Sequence, residues 1–134
     1  MKKHIKIALI TGASSGIGKA TAKVFAKTGY DLIITGRRAE KLEKIKQRLS
    51  LKYGVDVHIL SFDVQNYEAV QKAWKSIPDK LKEKITILIN NAGGAKGLDP
   101  IHEGQLEHWN TMIDTNIKGL LYMSKLVGKL FVEQ

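Results

Sequence analysis

Cysteine is absent from this sequence, so disulfide bonds, thiolate nucleophiles and cysteine-ligated zinc sites are excluded. Long apolar runs are missing as well. After the charged segment Met1–Lys6, the apolar stretch comprises only Ile7–Ile10 and is followed directly by Thr11 and Gly12. This stretch is too short for a signal-peptide core or a membrane span. Hydrophobic residues nevertheless make up 43% of the 134 residues, enough for one domain with a sizeable core. We therefore expect a soluble cytoplasmic protein.

Acidic residues are few relative to basic ones, 13 against 22, which gives a formal net charge of +9. Such an excess can indicate a nucleic acid, an acidic membrane or a phosphorylated ligand. Most of the lysines fall at spaced positions on helical segments, which favours simple solvation of helix surfaces. The sequence shows no helix-turn-helix pattern and no basic stripe with interleaved aromatics. We therefore expect neither a nucleic acid nor a membrane as partner.

Short β-rich runs alternate with helical patterns along the whole chain. The predicted strands are Ile5–Thr11, Leu32–Thr35, Val55–Phe62 and Ile85–Ile89, and the predicted helices are Gly16–Thr28, Ala39–Lys52, Asn66–Ser76 and Gln105–Phe131. Strict alternation favours a parallel sheet with helices on both faces. With right-handed crossovers this predicts a doubly wound α/β fold of four strands in the order 3-2-1-4. No repeat, low-complexity segment or linker divides residues 1–134.

A glycine-rich turn, Thr11–Gly18, joins the first predicted strand to the first predicted helix. Its glycines have the spacing Gly-x-x-x-Gly-x-Gly, which differs from the more common Gly-x-Gly-x-x-Gly. Glycine allows a tight turn and a close approach of a pyrophosphate to the backbone, and the helix N-terminus offers free N–H groups. A bare tight turn is the alternative. The predicted dinucleotide-binding residues of the turn are Gly12, Ser14, Ser15, Gly16, Ile17 and Gly18.

No acidic residue stands at the end of the second strand, where NAD-binding folds place the carboxylate that binds the ribose 2′-hydroxyl. Arg37 and Arg38 follow Thr35 and Gly36 there instead. Two guanidiniums suit a 2′-phosphate, and each charge-assisted bond contributes about 1.5–3 kcal/mol. The pair therefore predicts NADP(H), with about a tenfold or greater preference over NAD(H). A surface arginine pair on a basic helix is the alternative.

Polar residues also follow the third and fourth strands. Asp63 and Val64 come after the third strand, and Asn90–Gly93 comes after the fourth. The carboxyl ends of parallel strands open onto the binding crevice of such a sheet. Asp63 is equally suited to accept the adenine amino group and to cap the helix that follows.

Taken together and in this order, the motifs resemble those of the short-chain dehydrogenase/reductases, with Asn116 and Gly119 completing the set. The resemblance covers essentially the whole chain. It implies a Rossmann fold and hydride transfer between NAD(P) and an alcohol or carbonyl. It also implies that Gly12–Gly18 hold the pyrophosphate, that Arg37 and Arg38 hold the 2′-phosphate, and that Asp63 and Val64 contact the adenine. By the same resemblance, Asn91, Ala92 and Gly93 line the cofactor, and Asn116 belongs to the catalytic group.

A narrower similarity lies in Gly97–Pro100 and Trp109–Asn116. These segments resemble the NADP-dependent subgroup that oxidises serine and other 3-hydroxy acids, which implies a small-molecule substrate of that class. The sequence thus predicts an NADP(H)-dependent oxidoreductase of which this chain is the dinucleotide-binding domain. A non-catalytic NADP(H)-binding module from a natural truncation is the alternative.

The serine, tyrosine and lysine that the family's chemistry requires are missing. The lysine four residues after the tyrosine lowers the phenol pKa so that it can act as an acid and base. No Tyr-x-x-x-Lys occurs here, and Tyr122 has Lys125 only three residues on. In the resembling family the missing residues lie on a fifth strand and helix, beyond Gln134. We therefore predict that the chain lacks the family's carboxyl-terminal part and is inactive alone.

Two histidine–glutamate pairs stand near the start of the last predicted helix. His102-Glu103 and Glu107-His108 lack the spacing His-Glu-x-x-His, because Leu106 occupies the place of the second histidine. No metal site is predicted.

Apolar residues lie on more than one side of the predicted helix Gln105–Phe131, a stripe too wide for a single core face. In the resembling family this helix helps to form the subunit interface, and an unpaired fourth strand also favours association. We therefore predict a homo-oligomer through this helix, with burial inside its own domain as the alternative.

Overall fold

The computed structural model describes residues 5–134. Strands and α-helices alternate through most of the chain, as the sequence pattern predicts. The strands are β1 Ile7–Ile10, β2 Asp31–Gly36, β3 Val57–Ser61 and β4 Ile85–Ile89, and the α-helices are α1 Gly16–Lys27, α2 Ala39–Tyr53, α3 Tyr67–Ser76, α4 Asp79–Lys82, α5 Leu106–Ile113 and α6 Leu120–Glu133.

All strand pairs are parallel, and the sheet has the order β3-β2-β1-β4. The predicted topology is therefore confirmed. In the register of the sheet, Leu9 of β1 lies between Ile33 of β2 and Leu88 of β4. Every residue of β1 is buried, because β1 is flanked by strands on both edges and covered on both faces.

Two hydrophobic clusters cover the two faces of the sheet. Side chains alternate along β1, so Ala8 and Ile10 join one cluster while Ile7 and Leu9 join the other. The first cluster packs against α1 and α2, and the second packs against α3 and α6. Helices thus cover both faces of a parallel sheet, and the carboxyl ends of its strands remain open at one edge.

Several predicted boundaries differ from the structure. The first strand begins at Ile7, because Ile5 is exposed and pairing with β2 starts at Ile7. The third strand begins at Val57, although Val55 before it is buried. Helix α4 follows Pro78 and was not predicted.

The predicted helix Gln105–Phe131 is a compound element. A π-helical segment, Asp114–Gly119, joins α5 to α6, and a short 3₁₀ turn, Ile101–Glu103, precedes α5. Asn66, the first residue of the predicted helix, caps α3, since its Oδ1 accepts a hydrogen bond from Ala69 N at 3.1 Å. Among residues 5–134, no helix combines the length and apolar character needed to cross a bilayer.

Candidate functional site

The carboxyl ends of the four strands open onto a cleft of about 560 Å³. It lies where the strand order reverses between β1 and β4, which is the usual ligand position in sheets of this kind. The lining residues come from segments 12–17, 35–38, 62–65, 91–96 and 111–115. The cleft gathers every predicted cofactor residue except Gly18, and it leaves Asn116 outside the lining.

The glycines of the turn meet different demands. Gly12 has φ 63° and Gly16 has φ 57°, a left-handed conformation that side chains disfavour. A Cβ on Gly12 would lie 2.8 Å from Ala92 Cα, whereas a Cβ on Gly16 would meet nothing within 4 Å. A Cβ on Gly18 would collide with Gly12 O and Asn91 Nδ2. Gly16 therefore leaves room toward the cleft, while Gly12 and Gly18 allow the turn to pack on the loop after β4.

Thr11 joins the glycine turn to the loop after β4. Its Oγ1 accepts hydrogen bonds from Asn91 N at 3.0 Å and from Ala92 N at 2.9 Å. Asn91 Nδ2 in turn donates to Gly12 O at 3.0 Å. These bonds hold both walls of the cleft together. Sequence reasoning placed Thr11 at the start of the turn but assigned it no role, because its only signal is a polar residue directly after an apolar run.

Arg37 and Arg38 line the cleft after β2, and both side chains are exposed. Arg38 Nη2 donates to Ser14 Oγ at 3.4 Å, which brings this guanidinium beside the glycine turn. Within residues 5–134, the ion pairs of the structure involve neither arginine. Two cations at the end of β2 are therefore available to an anion in the cleft.

Asp63 lies in the cleft but does not cap α3, because Asn66 fills that position. Asp63 Oδ1 accepts a hydrogen bond from Gln65 N at 3.0 Å, which fixes the turn after β3. The neighbouring Val64 is buried, and a Cβ on Gly119 would lie 2.7 Å from Val64 Cγ2. Gly119 therefore lets the π-helical segment approach the turn after β3.

Asn116 binds the backbone of the loop after β4. Its Oδ1 accepts from Gly94 N and its Nδ2 donates to Gly94 O, both at 2.9 Å. A Cβ on Gly93 would lie 2.9 Å from Asn116 Oδ1. The residue lies in the π-helical segment, a form of helix that is found frequently at functional sites. Its contacts show a side chain that positions the cleft wall.

No tyrosine lines the cleft within the described part of the chain. Tyr122 packs against Tyr67, with ring centroids 4.9 Å apart, between α6 and α3. Lys125 Nζ lies 5.8 Å from the centroid of the Tyr67 ring. These tyrosines therefore belong to helix packing and not to the cleft.

The histidines near α5 occupy separate environments. His102 Nε2 lies 3.7 Å from Glu103 Oε1 on the surface, whereas His108 packs against Gly97. Across residues 5–134, no group of three or more histidine, aspartate or glutamate side chains is arranged to hold a metal ion.

Comparison with known proteins places these observations in one family. The model of the short chain dehydrogenase family matches residues 6–134. The NADP-dependent 3-hydroxy acid dehydrogenase YdfG of Salmonella typhi is 42% identical over 128 residues, which are 96% of this chain and 50% of that protein. Serine 3-dehydrogenase of Rhizobium radiobacter is 50% identical over 126 residues, which are 94% of this chain and 49% of that protein.

Among solved structures, serine dehydrogenase from Escherichia coli superimposes with a TM-score of 0.87 at 42% identity, covering 95% of this chain and 56% of that one. The closed form of serine dehydrogenase complexed with NADP⁺ gives 0.83 at 41% identity, covering 95% of this chain and 49% of that one. The chain thus spans about half the length of the curated relatives it matches. The family match over residues 6–134, on this sheet and these motifs, shows that the chain belongs to the short-chain dehydrogenase family.

Proposed function

We propose that this chain is the dinucleotide-binding domain of an NADP(H)-dependent oxidoreductase. One observation carries the proposal: a single cleft is lined both by the glycine turn and by Arg37 and Arg38, with the Arg38 guanidinium beside Ser14 of the turn. NADP appears in the names of similar proteins, the 3-hydroxy acid dehydrogenase YdfG and the serine dehydrogenase complex. When bound, the cofactor would supply a hydride acceptor or donor at its nicotinamide.

The cleft fits the phosphates of such a cofactor. Ser15 is the N-cap residue of α1, but its side chain makes no capping hydrogen bond, so the first N–H groups of α1 remain available to a pyrophosphate. Gly16 has open space where a side chain would stand. Arg37 and Arg38 would take the 2′-phosphate, and a planar guanidinium can bind such an oxyanion with two parallel bonds.

The remaining predicted residues divide into binding and positioning roles. Asp63 and Val64 would meet the adenine, and Asn91–Gly93 would line the cofactor along the wall that Thr11 fixes. Asn116 would act through the loop after β4, because its amide is committed to the backbone of Gly94. Asn116 would therefore belong to the catalytic group only because it positions this loop.

The substrate class we propose is a 3-hydroxy acid such as serine, supported by the names of the similar dehydrogenases. No phenol stands in the described cleft to exchange a proton with the substrate. We therefore expect the 134-residue chain to bind NADPH and to show no turnover of serine with NADP⁺. Robust turnover by protein whose intact mass matches the sequence would contradict this expectation.

Cofactor preference tests the proposal directly. We expect the chain to bind NADPH about tenfold or more tightly than NADH by calorimetry. The double variant R37A/R38A should lose this preference and keep its affinity for NADH. The matched control K41A/K44A removes the same charge from exposed positions of α2 outside the cleft and should keep the preference. Equal binding of NADPH and NADH by the unmodified chain would refute the assignment.

Self-association through α5 and α6 is a further part of the proposal. Large apolar side chains are exposed along this region, including Leu106 at 70% and Leu121 at 57%. Such a row favours an interface. Sedimentation should show an oligomer, and a clean monomer would count against this interface.

A further inference from the structure

A second cleft of about 290 Å³ lies between α1 and α2, on the outer side of the helices that cover one face of the sheet. It shares only Gly16 with the nucleotide cleft. None of the dinucleotide residues after β2, β3 or β4 reaches it. Its lining consists of Gly16, Lys19, Ala20, Lys23, Ile45, Arg48, Leu49, Lys52 and Tyr53.

The floor of this α1–α2 cleft is apolar. Ile45 and Leu49 are 6% and 4% exposed and belong to the core cluster beneath the helices. Ala20 and Tyr53 complete the apolar part of the lining, and Tyr53 packs on the same cluster. An apolar body can therefore lie in the cleft and remove additional surface from water.

The rim of the cleft is entirely cationic. Lys19 and Lys23 lie four residues apart on α1, and Arg48 and Lys52 lie four residues apart on α2. Like charges at this spacing repel each other on a helix. In the described part of the chain, no ion pair neutralises any of the four, and α1 contains no acidic residue. An anionic group between the helices would relieve this repulsion.

The size of the cleft limits its occupant to a small molecule. Its volume lies just below the range of roughly 300–1,000 Å³ that small-molecule pockets occupy. It is about half the nucleotide cleft, so a second dinucleotide does not fit. We propose that the α1–α2 cleft binds a small amphiphilic anion, with the apolar body over Ile45, Leu49 and Tyr53 and a carboxylate or phosphate head among the four cations.

Octanoate is the probe for this proposal. Calorimetry and two-dimensional NMR on the whole chain should show saturable binding, with shift changes confined to α1 and α2. Octyltrimethylammonium and octanol carry the same apolar chain with the opposite charge or with none. Octyltrimethylammonium should not bind, and octanol should bind about tenfold or more weakly than octanoate, because only the anion gains the charge-assisted bonds.

Two variants separate the rim from the floor. R48Q/K52Q removes two rim cations and should weaken octanoate binding about tenfold or more, while the control K41Q/K44Q removes two cations of α2 outside the cleft and should not. A20W fills the cleft from an exposed position and should abolish binding. No saturable octanoate binding below its micellar concentration, equal binding of octyltrimethylammonium, or unchanged binding by R48Q/K52Q would each overturn the proposal.

Discussion

Replacing Thr11 by valine should destabilise the fold, whereas the same replacement at Thr35 should not. Thr11 directly follows β1, Thr35 is the next-to-last residue of β2, and both residues are 1% exposed. Thr11 Oγ1 accepts two backbone hydrogen bonds, from Asn91 N and Ala92 N. Thr35 Oγ1 is buried without any hydrogen-bond partner among the described residues. Comparing the two positions therefore measures how much a buried hydroxyl contributes to stability when it accepts hydrogen bonds and when it has no hydrogen-bond partner.

The magnitude follows from the groups left behind. Valine at position 11 keeps the shape of the side chain but leaves Ala92 N–H without an acceptor, at about 1–3 kcal/mol. Asn91 N–H keeps a hydrogen bond to Ile89 O at 3.1 Å and so loses only one of its two acceptors. Ala92 is half-buried, so water recovers part of that loss, and we expect a total of about 1–3 kcal/mol. At Thr35, removing an unpartnered buried hydroxyl should be neutral or stabilising by up to about 1 kcal/mol.

Thermal unfolding followed by circular dichroism measures the difference. The unfolding midpoint of a chain of this size falls by roughly 3–5 °C per kcal/mol of lost stability, so T11V should unfold roughly 5–10 °C lower than the unmodified protein. T35V should unfold at the same temperature or slightly higher. T11S retains the hydroxyl and should recover most of the loss. Equal losses in T11V and T35V, or no loss in T11V, would refute the reasoning.

Gly18→Ala should destabilise the protein by about 2–4 kcal/mol, because its Cβ would collide with Gly12 O and Asn91 Nδ2 and break the bond between them. A Cβ on Gly128 in α6 would meet nothing within 4 Å, so Gly128→Ala should instead stabilise the protein by about 0.5–1 kcal/mol. Chemical denaturation measures both changes in the free energy of unfolding, and changes of the same sign in the two variants would contradict this pair of predictions. Burial and the charge of Lys46 lower the pKa of His58 below its ordinary 6.5. As the pH falls below 6.5, His58 therefore takes up a proton in the unfolded chain before it does so in the folded chain, and the free energy of unfolding should decrease. Unfolding midpoints between pH 5 and 7.5 should show a smaller acid loss in H58N, and an unchanged slope would contradict this cause.

The sheet was predictable because its signals are local. The apolar run of β4 is interrupted only by Thr86 and is bounded by Lys84 and Asn90, so the predicted limits matched the structure. Gly54 ends α2 in the left-handed conformation, and α2 extends one residue beyond the predicted helix Ala39–Lys52. The strand order followed from alternation, from crossover handedness and from the usual order of doubly wound sheets.

The details of the site were less predictable because they depend on contacts between distant segments. Gly18 was assigned to the cofactor, yet in the structure it allows the turn to pack on Asn91. The π-helical segment Asp114–Gly119 changes the hydrogen-bond pattern of a helix without changing its composition, so a helical period does not reveal it. Because the sequence does not reveal this segment, it can assign a role to Asn116 but cannot predict the hydrogen bonds between Asn116 and Gly94.

The bonds from Thr11 to the loop after β4 also bear on how the site comes into being. They join residues 80 and 81 positions apart in the sequence, so they form only after a long stretch of chain has been closed into a loop. An intermediate that has paired β1 with β2 and lacks β4 therefore has a glycine turn but no nucleotide cleft. A ligand of this cleft selects the chain with all of β1 to β4 in place, and its binding energy adds to the stability of the entire sheet.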